Sequence, residues 1–285
     1  MRGGFTGNAR TRGRGGRRVD PVGGLPDVAA KRVRFIGEAA QRIREDYLRI
    51  LRFFRFHAAY GHGAPDATGL AACIVGRDGL DGLSRERIHT EMTKLIRAPG
   101  AVETLTLMSE TGLWQRISGG VVLPARLARL IAVWPEATSA ERLAAAAVLS
   151  VADVGRLRLA FKLSNAEADT LLSMARAFET LHGHAVPDGR AARRFAYRLG
   201  QRAFGLALAC AHPEVAAGDI ISLTDAARTL AFPLSGRDML ALGVPAGPET
   251  GQALARAEQL WIAADFPTEA EALRQIAGTA AQNGS

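Results

Sequence analysis

Between Arg42 and Phe56 the chain reads Arg42-Ile43-Arg44-Glu45-Asp46-Tyr47-Leu48-Arg49-Ile50-Leu51-Arg52-Phe53-Phe54-Arg55-Phe56. Wound at 100° per residue, Leu48, Ile50, Leu51, Phe53, Phe54 and Phe56 spread round most of the circumference. A helix without one wet face must be enclosed by other elements, so this segment fixes a core around itself. Asp46, Arg49, Arg52 and Arg55 stand three apart within it. Each step of three falls about 60° short of a full turn, so the four groups are expected to climb one helix as a slowly drifting ladder along a cleft. Guanidinium groups in an apolar setting require carboxylates, carbonyls or an anionic ligand as partners.

Phosphate is the obvious anion. A carboxylate one turn before an arginine also sets an acceptor beside donors, which suits a base edge carrying an amino group next to a ring acceptor. Cytosine and adenine have that edge, and uracil and guanine present the reverse polarity. The competing reading is plain ion pairing of Glu45 and Asp46 with Arg42, Arg49 or Arg52, since pairs at this spacing are common.

Elsewhere the segments 38–60, 67–76, 84–97, 101–111, 123–133, 139–149, 153–161, 165–181, 189–200, 202–211, 216–230, 236–241, 248–264 and 267–276 are rich in Ala, Leu and Arg. Their periodicity is helical rather than alternating, and Gly and Pro punctuate them. Ser164-Asn165-Ala166-Glu167 and Thr268-Glu269 have the polar cap and early acid of helix starts. No fixed repeat period is present, so the pattern predicts an all-α array without a sheet rather than a regular solenoid. Trp114, Trp134 and Trp261 sit in apolar helical contexts and are expected to anchor the core.

Charge locates a partner. The formal net charge is +8 and the pI about 10.4. Residues 1–60 hold fourteen Lys or Arg against five Asp or Glu, which accounts for the whole excess. An anionic partner, nucleic acid first, is expected to meet the N-terminal part. Arg10 to Arg18 form an Arg-Gly stretch that either binds RNA or is a solvated, unstructured arm. Cys73 and Cys210 are too few for a disulfide framework, and the six histidines show no zinc-ligand spacing. No phosphate-binding glycine loop, membrane-length apolar run or signal peptide occurs, so a cytoplasmic protein without membrane contact is expected.

Three motifs agree in order and spacing with one family. Glu45-Asp46-Tyr47-Leu48-Arg49-Ile50-Leu51-Arg52-Phe53-Phe54-Arg55-Phe56 resembles the Glu-Asp-x-x-Arg-x-x-Arg-x-x-Arg-Phe signature of bacterial-type CCA-adding tRNA nucleotidyltransferases and poly(A) polymerases. Asp20-Pro21-Val22-Gly23-Gly24-Leu25-Pro26-Asp27-Val28, followed by Arg34, resembles their hinge between catalytic head and helical neck. Leu83 to Leu95 resembles the neck helix Ser-x-Glu-Arg-Ile-x-x-Glu-Leu-x-Lys-Leu. Pro233 to Gly243 and Gly247 to Gly251 are similar to the tail.

The resemblance implies an elongated neck, body and tail: a head remnant over 1–19, basic and poorly ordered, a hinge over 20–37, a neck over 38–118 that selects nucleotide and binds RNA, and a tRNA-holding body and tail over 119–285. It implies CTP and ATP as substrates, tRNA as partner and Mg²⁺ as the metal of the intact enzyme. Asp46 and Arg49 become a protein template for the incoming base, with Glu45 beside them and Arg52 and Arg55 contacting the triphosphate or the rest of the nucleotide. Arg85, Arg87, Lys94, Arg193, Arg194 and Arg198 become RNA contacts, with Arg126, Arg129, Arg156, Arg158, Arg190 and Arg202 as further candidates for phosphates.

Two-metal transfer needs close carboxylates, which the family supplies as Asp-x-Asp in the head, and this sequence has no Asp-x-Asp. Arg2-Gly3-Gly4-Phe5-Thr6-Gly7-Asn8-Ala9 resembles a degraded form of the head's last strand, Arg-Arg-Asp-Phe-Thr-x-Asn-Ala. The expectation is a chain beginning near the end of the head, inactive alone, with no catalytic residue or metal ligand of its own. Three functions follow: a tRNA 3′-end nucleotidyltransferase part, completed by a separate head domain or not; a non-catalytic tRNA-binding relic; or a helical interaction protein.

Overall fold

The computed structural model describes residues 24–228 and 231–282. Among them the regular elements are helices and no β-strand forms, as the periodicity requires. The head remnant over 1–19, its Arg-Gly stretch and the hinge residues from Asp20 to Gly23 lie outside the described residues.

The chain divides into two compact units, one of Met1–His182 with Leu206–Glu214 and one of Gly183–Gly205 with Val215–Ser285. The neck boundary expected near 118 falls inside the first unit.

In the first unit, α1 (Leu25–Ala29) is one turn started by Pro26, and α2 (Ala39–Glu45) is capped by the Glu38 carboxylate on Ala40 N and Gln41 N. The single helix expected over 38–60 is interrupted: Asp46 has extended backbone (φ −160°, ψ 105°), and α3 (Leu48–Tyr60) starts afresh after Tyr47. Asp46 makes the new start itself, its Oδ1 accepting from Leu48 N at 3.1 Å. Leu48, Ile50, Leu51, Phe53 and Phe54 are all buried, so α3 is enclosed as its apolar girdle demands.

The enclosing elements are α5 (Arg85–Ile96), capped by Ser84, and α6 (Ala101–Glu110), both packed on α3, with α4 (Ala67–Val75) against α2. A 3₁₀ segment over Arg77–Gly82 carries the chain from α4 to α5. Its Gly79 is required, because a Cβ there would lie 2.0 Å from the Tyr47 ring. The short α7 (Leu113–Ser118) has no counterpart in the segments read from sequence. Gly112 and Gly119 bound it, both in the left-handed conformation that glycine adopts without penalty.

The unit continues through α8 (Pro124–Val133), α9 (Ser139–Ala147), α10 (Val151–Phe161) and α11 (Asn165–Leu181). Capping boxes start α9, α10 and α11, including the expected Ser164/Glu167 pair. Trp114 is fully buried against Phe161.

The second unit holds α12 (Gly189–Leu199), the start of α13 (Gln201–Ala211), α14 (Ala217–Ala226), α15 (Gly236–Ala241), α16 (Pro248–Ala263) and α17 (Ala270–Gln282). The last begins and ends later than the expected 267–276. Trp261 anchors this unit: it is fully buried among Tyr197, Phe232 and Phe266, and its indole N–H donates to Pro267 O at 2.8 Å. Trp134 is half-buried.

Candidate nucleotide and RNA interface

Because α2 and α3 break at Asp46, the template candidates sit at a corner rather than on one continuous ladder. Arg49, Arg52 and Arg55 climb α3, while Asp46 projects from the break and Glu45 from the last turn of α2. None is deeply buried. Side-chain exposure is 27% for Asp46, 18% for Arg49, 41% for Arg52 and 19% for Arg55, so the charges line a solvent-reachable strip.

Each charge has a partner. Glu45 Oε2 accepts from Arg42 Nη1 and from Arg49 Nη1, both at 2.6 Å, and Arg49 Nη1 also donates to Arg42 O at 2.7 Å. The hydrogen bond from Arg49 holds the Glu45 carboxyl below its ordinary range. Sequence reasoning offered these Glu45 pairs with Arg42 and Arg49, but it offered the same arginines and Arg52 to Asp46 and named no carboxylate for Arg55; the structure gives Asp46, Arg52 and Arg55 other partners.

Those partners come from α5. Arg87 Nη2 donates to both Asp46 oxygens, at 2.9 and 3.0 Å. Glu91, which sequence reasoning did not single out as a site residue, is 5% exposed and accepts from Arg52 Nε at 3.2 Å and Arg55 Nε at 2.5 Å. Arg55 also lies over the Phe56 ring, 4.1 Å from its centroid. The signal in the sequence was available. Glu91 shares the apolar face of α5 with Ile88, Met92 and Leu95, and an acid on a buried face needs a cation.

Five arginines, Arg42, Arg49, Arg52, Arg55 and Arg87, thus face three carboxylates, Glu45, Asp46 and Glu91. Two positive charges are left over on one strip, which suits a polyanion. At the corner, Asp46 and Arg49 are one turn apart, joined by the bond from Arg49 N–H to Asp46 O at 3.0 Å, while their side chains pair with Arg87 and with Glu45.

The remaining RNA candidates separate into two groups. Arg85 and Lys94 are exposed on α5. In the second unit the α12 arginines serve the end of α16 instead: Arg190 Nη2 donates to Ala263 O, Arg194 to Ile262 O and Ala263 O, and Arg198 to Gln259. Arg193 pairs with Asp265, whose carboxyl this contact holds below its ordinary 3.8. These cations satisfy the free carbonyls and negative dipole at a helix C-terminus.

In the first unit, Arg156 donates to Ser118 O and Asp153, and Arg158 to Asn165. Arg126 points inward, donating to Val148 O at 2.9 Å and lying 3.7 Å from the centroid of Phe178. Burial lowers the Arg126 guanidinium and raises the thiol of its neighbour Cys210 to about 11.

Mg²⁺ does not fit the residues described. No group of three His, Cys, Asp or Glu side chains among them is placed to hold a metal ion. No helix among them is long and apolar enough to cross a membrane.

Comparison with known proteins bears on the same region. Residues 75–118, from the end of α4 through α7, match a family described as a probable RNA and SrmB-binding site of polymerase A. A mitochondrial CCA tRNA nucleotidyltransferase 1 of Danio rerio is 40% identical over 110 residues, covering 38% of this chain and 26% of the fish protein. The chain therefore matches about a quarter of that relative's length.

Among solved structures, a Bacillus stearothermophilus CCA-adding enzyme in complex with CTP superposes with a TM-score of 0.74 at 26% identity. The match covers 98% of this chain and 74% of that one. A Thermotoga maritima CCA-adding enzyme complexed with tRNA shares the fold at a TM-score of 0.65 and 14% identity, over 92% of this chain and 67% of that one.

Proposed function

The chain belongs to the CCA-adding enzyme and poly(A) polymerase family through its helical region, and we propose that it supplies the nucleotide-selecting and tRNA-holding part of a tRNA 3′-end nucleotidyltransferase acting in the cytoplasm. The observation that carries this reading is the corner at Asp46. There Arg87 holds the Asp46 carboxylate, and Arg49, whose backbone N–H donates to Asp46 O at 3.0 Å, follows at the head of a strip with excess positive charge. CTP and ATP fit that corner through N4–H and N3 of cytosine or N6–H and N1 of adenine. UTP and GTP bring a carbonyl toward the carboxylate and an N–H toward the guanidinium.

Arg52 and Arg55 reach the triphosphate from α3, each retaining guanidinium donors beyond the one given to Glu91. The tRNA lies along the exposed faces of the first unit, where Arg85 and Lys94 contact its backbone. Chemistry at the α-phosphate belongs to carboxylates outside this sequence, as on a separate head domain, and no transfer step is assigned to the residues here.

Equilibrium binding of the four nucleoside triphosphates tests the reading. The chain is expected to bind CTP and ATP about tenfold or more above UTP and GTP, the discrimination of one good base-edge contact. Asp46→Ala is expected to erase the difference. Equal binding of all four by the unaltered chain would defeat the template assignment. The second reading, a tRNA-binding relic, predicts salt-sensitive tRNA binding with no nucleotide preference at all.

A further inference from the structure

We propose that Arg87 is a positioning residue for base selection rather than an RNA contact: it clamps the Asp46 carboxylate in the one orientation that can distinguish an amino edge from a carbonyl edge. The inference rests on the template reading of Asp46 and Arg49 and adds the residue that makes the template rigid.

The need for a clamp follows from the backbone. Asp46 is in the extended corner between α2 and α3, so helix packing does not hold its side chain. An unrestrained carboxylate would rotate away from a uracil or guanine carbonyl and avoid the repulsion on which discrimination depends. A reading group must be fixed before the base arrives.

Two donors fix Asp46 through three hydrogen bonds, shared unequally between its oxygens. Oδ1 accepts from Leu48 N at 3.1 Å and from Arg87 Nη2 at 2.9 Å. Oδ2 accepts from Arg87 Nη2 at 3.0 Å. A carboxylate oxygen has about two acceptor sites, so the contacts fill Oδ1 and leave a place on Oδ2. That open site is the one an incoming N4–H or N6–H takes.

The backbone that carries the clamp is anchored. Arg87 is in the first turn of α5, where Ser84 caps its backbone N–H. One turn later on the same helix, Glu91 grips Arg52 and Arg55. Helix α5 therefore presents a positive group to the base-reading acid and a negative group to the phosphate-facing arginines, a reversed copy of the charges it faces. Arg87 cannot contribute the same guanidinium nitrogen to RNA phosphate while it spans both oxygens of Asp46.

Binding of CTP, ATP, UTP and GTP, with inorganic tripolyphosphate as a base-free probe, tests the clamp on the full chain and on Arg87→Ala, Arg87→Lys and Asp46→Ala. Thermal melting confirms that each variant is folded. Arg87→Ala is expected to lower the CTP-to-UTP and ATP-to-GTP affinity ratios about tenfold, toward those of Asp46→Ala, while tripolyphosphate binding stays within about twofold. Arg87→Lys is expected to restore part of the ratio, because an ammonium reaches the carboxylate without the fork.

Retention of the unaltered ratio by Arg87→Ala overturns the clamp and leaves the template reading standing. Uniform weakening of all nucleotides and of tripolyphosphate, with the ratio kept, makes Arg87 a phosphate contact and also overturns it. An unaltered chain that does not discriminate overturns the template reading and the clamp together.

Discussion

Removing Glu91 is expected to destabilise the first unit more than any other single change in the charged strip. Its side chain is 6% exposed and holds Arg55, 19% exposed, and Arg52, 41% exposed. A hydrogen bond to a charged group is worth about 1.5–3 kcal/mol, and truncating one partner of a buried pair leaves the other charge uncompensated. With the Arg55 contact near 2 kcal/mol and the more exposed Arg52 contact discounted to about 1, Glu91→Leu should cost about 3 kcal/mol. For a unit of this size that is a fall in Tm of roughly 6–12 °C.

The assay is thermal and urea unfolding of Glu91→Leu, Arg55→Met and the double variant. The double variant removes Arg55, the more buried of the two cations that Glu91 holds, so its loss should fall short of the sum of the two single losses by about 2 kcal/mol, the coupling in the cycle. A loss under about 1 kcal/mol for Glu91→Leu, or strict additivity in the double variant, would refute the claim that Glu91 organises the strip.

Other expectations follow from the same geometry. Gly79→Ala puts a Cβ into the Tyr47 ring beside Asp46; it should cost about 1–3 kcal/mol in unfolding and weaken CTP-over-UTP discrimination. Asp265 is paired with Arg193, and its folded pKa lies below the ordinary 3.8, so its contribution is present above that value and fades as pH falls through the folded pKa. Melting curves of the unaltered chain should therefore drop below about pH 4, and Asp265→Asn, which tolerates the left-handed backbone at this site (φ +67°), should start lower at neutral pH and drop less. Arg126→Met exchanges an inward guanidinium for an apolar chain of similar length; unfolding free energy should stay within about 1 kcal/mol, and tRNA affinity and its salt slope should not change.

Local patterns were legible in the sequence to the extent that their causes were local. The girdle of Leu48, Ile50, Leu51, Phe53 and Phe54 required an enclosed helix, and that helix is enclosed. Ser164 and Glu167 required a helix start, and α11 starts there. The break at Asp46 was not legible, because no Gly or Pro marks it. An Asx-type bond to Leu48 N makes a new helix start from a residue that, in a continuous helix, would simply have been one more polar position.

Partner choice is a tertiary property, and the run of arginines did not reveal it. Arg193, Arg194 and Arg198 cluster on α12 as a phosphate-tracking set would, and within the unit Arg193 meets Asp265, Arg194 the last carbonyls of α16 and Arg198 the Gln259 side chain, 61 to 72 residues later in sequence. Arginines are abundant in this chain, so a cluster of them discriminates poorly between an RNA face and a helix cap. An acid on an apolar face is rarer and more demanding. Glu91, set between Ile88, Met92 and Leu95, had to find cations in the core, and the arginines already inferred at the edge of that core were those of α3. Argued from the buried carboxylate rather than from the exposed cations, the contact between α5 and the strip becomes a deduction from sequence, and Arg87, one turn earlier on the same helix, then lies within reach of the acid at the corner.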